Sequence, residues 1–216
     1  MKNDNKKVFL VGGQGYGNYI NWVLDMGFES TESLKDSDLV FFTGGSDVDP
    51  SFYGHEQHIT TGPNTQRDVY EKSIFDASVN LNKKLWGCCR GAQALCAYQP
   101  KGYLIQHASH PSSHYGTIKE TGEQILLTSS HHQMMAPFDI NHKVIVFADN
   151  LSPFHLLGDN TDIECNEEPE IVYFPDIKGI GSQSHVEWQF RSNNKEEVRT
   201  VKYHQELLTR LMNDEM

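Results

Sequence analysis

Six short apolar runs punctuate the chain, at residues 8–11, 39–42, 85–88, 125–127, 144–148 and 171–174. Their apolarity is continuous rather than alternating, which marks strands covered on both faces. Between the early runs the period lengthens. Ile20, Val23 and Leu24 mark one helix, and Tyr70, Ile74, Ala77 and Leu81 form a stripe on another, at spacings of four, three and four. Such spacings place side chains on one helix face. A helix-compatible stretch, residues 92–98, follows the 85–88 run at once. A closing helix spans residues 195–211, with Val198, Val201, Leu208 and Leu211 facing inward. The alternation predicts an α/β fold: a doubly wound, mostly parallel, flavodoxin-like sheet with helices on both faces. The second half holds more strands and loops than helices, which predicts a small antiparallel extension.

The junction at Leu85-Trp86-Gly87-Cys88-Cys89-Arg90-Gly91-Ala92-Gln93 is the first place where the pattern implies chemistry. An apolar strand ends in a small-residue turn and a helix begins. A cysteine in that turn lies against the unpaired N–H groups of the first helical turn, which favour a thiolate. Near the C-terminal end, Gly181-Ser182-Gln183-Ser184-His185-Val186-Glu187 reads as a short strand delivering a histidine and, two residues on, a carboxylate. A thiolate nucleophile needs a base, and the base needs a group that fixes its tautomer. Cys89, His185 and Glu187 supply the three parts. Cys88 reads as a buried strand-end cysteine.

Composition narrows the classes. The 216 residues suit one α/β domain with a full core, residues 1–216, without repeat, low-complexity segment or linker. Asp and Glu number 29 against 18 Lys and Arg, for a formal net charge of −11. That excess argues against a nucleic-acid or anionic-membrane surface. Much of it lies in residues 159–170, read as a solvated loop. No run approaches the roughly 20 apolar residues of a membrane span, and residues 8–11 are too few for a signal peptide. The expected setting is the cytoplasm. Cys88, Cys89, Cys96 and Cys165 show no paired spacing, so neither a disulfide framework nor a cysteine zinc site is expected. Gly12-Gly13-Gln14-Gly15-Tyr16-Gly17 lacks the third glycine of a dinucleotide fingerprint, since Asn18 stands there, and reads as a tight strand-to-helix turn. His107, His110 and His114 with His131 and His132 invite a metal site. Pro111-Ser112-Ser113 breaks any helix that would align the first three, so no metal and no cofactor is expected.

The Gly-Cys-Cys-Arg-Gly-Ala-Gln segment and the late His-x-Glu resemble the class I glutamine amidotransferase-like superfamily, and in particular its gamma-glutamyl hydrolase branch, which includes the gamma-glutamyl-GABA hydrolases. Four more stretches match that branch in order. They are Thr43-Gly44-Gly45-Ser46-Asp47-Val48-Asp49-Pro50 running on to Tyr53-Gly54, Arg67-Asp68 with Glu71, Leu104-Ile105-Gln106-His107, and Thr128-Ser129-Ser130-His131-His132-Gln133. Three departures stand out. Val186 replaces the proline of His-Pro-Glu, Thr128 replaces an asparagine, and Tyr98-Gln99-Pro100-Lys101-Gly102-Tyr103 replaces a Leu-Gly-Gly segment.

The resemblance implies hydrolysis of a small-molecule gamma-glutamyl amide through a Cys89 thioester, with His185 as base and Glu187 as its orienting group. Backbone N–H groups of Gly45 and Arg90 are the candidate oxyanion donors. Gln93, Ser129 and His131 match positions that hold the substrate or shape its pocket. A stand-alone hydrolase and an amidotransferase subunit feeding ammonia to a synthase partner share this chemistry. Arg90 after the nucleophile, where amidotransferase subunits commonly carry Leu or Phe, favours the hydrolase. A third reading is a catalytically silent regulatory relative. A homodimer is compatible with all three.

Overall fold

In the computed structural model, residues 6–12, 14–110 and 113–216 are described. Gly13 of the glycine turn, Pro111 and Ser112 between the histidines, and residues 1–5 lie outside them. The strands are β1 (Lys7–Val11), β2 (Glu29–Thr31), β3 (Leu39–Phe42), β4 (Lys84–Cys88), β5 (Tyr103–Ile105), β6 (His107–Ala108), β7 (Ser113–Ile118), β8 (Gln124–Thr128), β9 (Met134–Ala136), β10 (Lys143–Asp149), β11 (His155–Leu156), β12 (Glu167–Phe174) and β13 (Gly179–Ser182). The helices are α1 (Asn21–Leu24), α2 (Thr65–Asn80), α3 (Arg90–Ala97), α4 (Val186–Gln189) and α5 (Lys195–Met212). Residues 14–20 form a 3-10 turn.

Nine strands make one mixed sheet in the order β2-β1-β3-β4-β13-β12-β10-β7-β8. The first five run parallel, and from β12 onward every pairing is antiparallel. The α/β class read from the sequence is the fold observed, with an antiparallel wing four strands wide. The apolar runs lie inside β1, β3, β4, β8, β10 and β12. Leu39 to Phe42 are fully buried, as a doubly covered strand requires. The two larger of three core clusters lie one on each side of the sheet's alternating side chains. Trp22, Phe41 and Trp86 anchor one, and Phe42, Leu85 and Leu95 the other.

Two expectations about faces need correction. On α2 the buried residues are Asp68, Glu71, Phe75 and Ser78, whereas Tyr70 and Leu81 of the apolar stripe are exposed. Two carboxylates face inward because buried arginines meet them there. On α5 Val201, Leu208 and Leu211 are buried as expected, joined by Thr200, His204 and Leu207, while Val198 is half-buried. Among the described residues, no helix is long and apolar enough to cross a membrane.

Candidate active site

β4 and β13 are parallel neighbours, with Cys88 opposite Ser182 in the register. The turns that follow both strands therefore emerge side by side at the sheet's carboxyl edge. The first presents Cys89 and the second His185. Cys89 adopts φ 50°, ψ −115°, a left-handed conformation that a side chain rarely takes. Its backbone N–H donates to the Ser182 carbonyl at 2.7 Å, tying the two turns together. Glycines make the turn sterically feasible. A Cβ on Gly87 would lie 2.5 Å from the Gly91 carbonyl, and one on Gly91 would lie 2.2 Å from the Phe42 carbonyl oxygen.

Cys89 and His185 line one cleft of about 360 Å³, together with Tyr19, Gly45, Asp47, Gln93 and residues 130–133. Larger surface clefts, such as the one between Lys119, His142 and Arg210, contain no cysteine. The His185 Nδ1 lies 2.7 Å from Glu187 Oε1, and its Nε2 lies 3.1 Å from the Ser130 hydroxyl. The Trp188 ring stacks on His185 with centroids 3.9 Å apart, and so flanks the cleft's mouth. Burial pushes the His185 pKa down. Hydrogen bonding to Cys89 and Glu187, and their negative charge, outweigh it and lift the imidazole from 6.5 to about 9.

Cys88 is fully buried, but it does not point away from this group. Its Sγ lies 3.4 Å from the Ser184 carbonyl and 3.5 Å from Glu187 Oε2. Burial, then the neighbouring Glu187 and Cys89, hold its thiol well above the usual range. It is a protonated donor behind the His185–Glu187 pair.

The glycine loop is clamped from α2 and α3. Arg67 donates to the carbonyls of Gly44 at 2.9 Å and Thr43 at 3.2 Å, and to Glu71 Oε1 at 2.7 Å. The buried Arg90 guanidinium donates to the Ser46 carbonyl at 3.0 Å and pairs with Asp68 and Glu71. Thus the Arg90 side chain leaves the cleft while its backbone N–H stays at the helix start beside Cys89. Gly45, at φ 140°, lines the cleft. A Cβ there would lie 2.1 Å from an Arg67 guanidinium nitrogen.

Of the expected substrate residues, Gln93 and His131 line the cleft and Ser129 does not. Gln93 donates to the Gln133 carbonyl at 2.8 Å, and the buried Ser129 hydroxyl has no partner. Ser130, one residue on, takes the place beside His185. Asp47, Tyr19 and Trp188 escaped sequence reasoning. Asp47 sits in the recognised glycine loop and offered a signal, whereas the other two offered none. Asp47 Oδ2 accepts from the Gly62 N–H at 2.8 Å and lies 3.2 Å from His132 Nε2. Of the five histidines considered together, His110, His114 and His131 converge, although not along a helix. His107 stacks instead on His58.

A family model described as peptidase C26 matches residues 21–152. The chain belongs to the peptidase C26 family. The matched residues include Cys89 and end before His185 and Glu187, which the sheet brings to it. Two curated relatives are described as glutamine amidotransferase-like proteins. The YvdE homolog of Lactococcus lactis subsp. cremoris is 29% identical over 138 residues, 52% of this chain and 73% of that protein. YvdE of Lactococcus lactis subsp. lactis strain IL1403 is 33% identical over 115 residues, 51% of this chain. The chain spans 48% of the latter's length. Among solved structures, a protein described as a GMP synthase subunit from Thermoplasma acidophilum aligns over 95% of this chain and 98% of its own. Its TM-score is 0.59 at 13% identity, a likeness of fold.

Proposed function

We propose that this chain is a cysteine-dependent hydrolase of gamma-glutamyl amide bonds. One observation carries the reading: Cys89, in a strained turn, shares a cleft with a histidine already paired to a carboxylate. Protonated His185 favours a Cys89 thiolate, which attacks the amide carbonyl carbon. The N–H groups of Gly45 and Arg90 receive the oxyanion. His185 gives its proton to the departing amine nitrogen, leaving a gamma-glutamyl thioester. Neutral His185 then takes a proton from water, whose oxygen attacks the thioester carbonyl. Glutamate leaves and the Cys89 thiolate returns. Glu187 holds the His185 tautomer throughout. Asp47, an acid in the cleft, suits the α-ammonium group of a gamma-glutamyl substrate. Gln93 and His131 shape the pocket around the α-substituents, and Ser130 stands where Ser129 was expected.

The purified chain, given glutamine, gamma-glutamyl-GABA and gamma-glutamyl peptides, is expected to release glutamate from at least one of them with no other protein present. No release from any of them would overturn the reading. The amidotransferase-like relatives, and the fold shared with a GMP synthase subunit, favour a second reading: a glutaminase that delivers ammonia to a synthase partner. Activity on glutamine alone that rises steeply only when such a partner is added would decide for it.

A further inference from the structure

Away from the reacting atoms, four histidines and two glutamates are packed into the antiparallel wing. Glu170 on β12 is fully buried, and its Oε1 lies 3.0 Å from His114 Nε2 on β7 and 3.2 Å from His110 Nδ1 in the preceding loop. His131 Nε2 approaches the same oxygen at 3.9 Å. The ligand atoms of His110, His114 and Glu170 all lie within 4.8 Å of one another. We propose that His110, His114 and Glu170, with His131 as fourth ligand, form a binding site for one divalent transition-metal ion of the zinc type.

The spacing fits. Bonds of 2.0–2.1 Å from a tetrahedral zinc set the ligand atoms about 3.3–3.4 Å apart. The carboxylate-to-imidazole separations straddle that value, and a small inward movement of His131 completes the set. Ordinary hydrogen bonding accounts for part of the cluster, the His114–Glu170 contact at 3.0 Å, and leaves the rest unexplained. Both ring nitrogens of His110 lie 3.2 Å from carboxylate oxygens, yet neither is aligned to make a hydrogen bond. His131 Nε2 and Glu170 Oε2 are buried without any partner. Orphaned polar atoms are rare in folded proteins, and two of these, His110 Nδ1 and His131 Nε2, face the same Glu170 oxygen, which calls for an occupant.

The surroundings also match what metal-bound imidazoles need. A ligating ring is held through its other nitrogen by a carbonyl or carboxylate. His131 Nδ1 lies 2.9 Å from the Gln133 carbonyl, and His110 Nε2 faces Glu168. Glu168 is fixed in turn by His155 Nε2 at 2.8 Å and by the Ser152 N–H at 2.7 Å. Imidazole and carboxylate donors suit zinc and its neighbours. The ion would pin residues 130–133, one wall of the cleft, onto β7 and β12. The site stands whether or not the cleft cleaves gamma-glutamyl amides.

The test uses the untagged full chain, stripped with a chelator and titrated with Co²⁺. One equivalent should bind, with the visible bands of a low-coordinate nitrogen–oxygen site and no thiolate-to-cobalt charge transfer. One equivalent of Zn²⁺ should displace it and raise Tm. His110→Ala, in a loop where loss of the ring spares the sheet, should weaken binding by at least about tenfold. Cys88→Ser should bind as the wild type does. That variant matters because Cys88, His185 and Glu187 also lie within reach of a common ion. No uptake by the wild type would overturn the proposal. So would a thiolate band, loss of uptake in Cys88→Ser, or unchanged affinity in His110→Ala; the wild-type spectrum needs no variant to be read.

Discussion

Cys89 sits in backbone strain of about 1–3 kcal/mol, the usual cost of a sparsely populated conformation. That strain aims the sulfur into the cleft. Cys89→Gly should therefore abolish glutamate release while raising Tm in calorimetry, because glycine tolerates positive φ freely. A fall in Tm would deny the strain. Cys88→Ala should retain turnover and lose about 1 kcal/mol in denaturant unfolding, the scale of a small core deletion. His185 gives a pH signature. Its folded pKa lies above its ordinary 6.5, at about 9. The stabilisation it provides is thus complete below 6.5 and lost as pH rises through 9. If the imidazolium–thiolate pair is the reactive form, kcat/KM should decline with an apparent pKa near 9. A rate still climbing above that pH would contradict it. Cys89 and His185 could be read from strand-end position and the His-x-Glu spacing. Cys88 at the back of the pair could not, since a buried strand-end cysteine carries no sign of the group it will face.

At the scale of elements, α2 and α3 both brace the glycine loop, α3 while also packing in the core. Arg67 and Arg90 each hold loop carbonyls, and each is held by Glu71. Removing Glu71 leaves two buried guanidinium groups short of a partner. Glu71→Ala should cost about 3–5 kcal/mol in denaturant unfolding, the range for breaking a buried ion pair. A loss below 1 kcal/mol would mean that the loop, not the ion pairs, holds these helices. The same network explains why the apolar stripe on α2 misled: burial there follows charge pairing, which periodicity does not register. The parallel strands were legible because they are covered on both faces and read as unbroken apolar runs. β7, Ser113–Ile118, is mostly polar and carries no such run. With it went the sight of His114 in contact with Glu170, because without that strand a helix was the one frame on which the histidines could be aligned.

Across the whole molecule, the sheet divides the labour. Its parallel half supplies the turns of Cys89 and His185, and its antiparallel half supplies residues 130–133 and the buried histidine–glutamate cluster beneath them. The cleft lies where the two halves meet, near the point at which strand direction reverses. β13 is the hinge of this arrangement. It enters the sheet between β4 and β12, although everything from α3 to β12 separates it from β4 along the chain. Such a pairing closes a long loop and is expected late in folding. Until it closes, Cys89 has no base beside it and its turn lacks the Ser182 carbonyl that ties it down. On the proposed function, a refolding or newly made chain would carry an ordinary thiol and gain a reactive one only with its last central strand. Pulse labelling with a cysteine-directed glutamine analogue should find Cys89 labelled only in the final refolding phase. On the proposed function, that order of folding would keep the nucleophile harmless until the fold is ready to direct it.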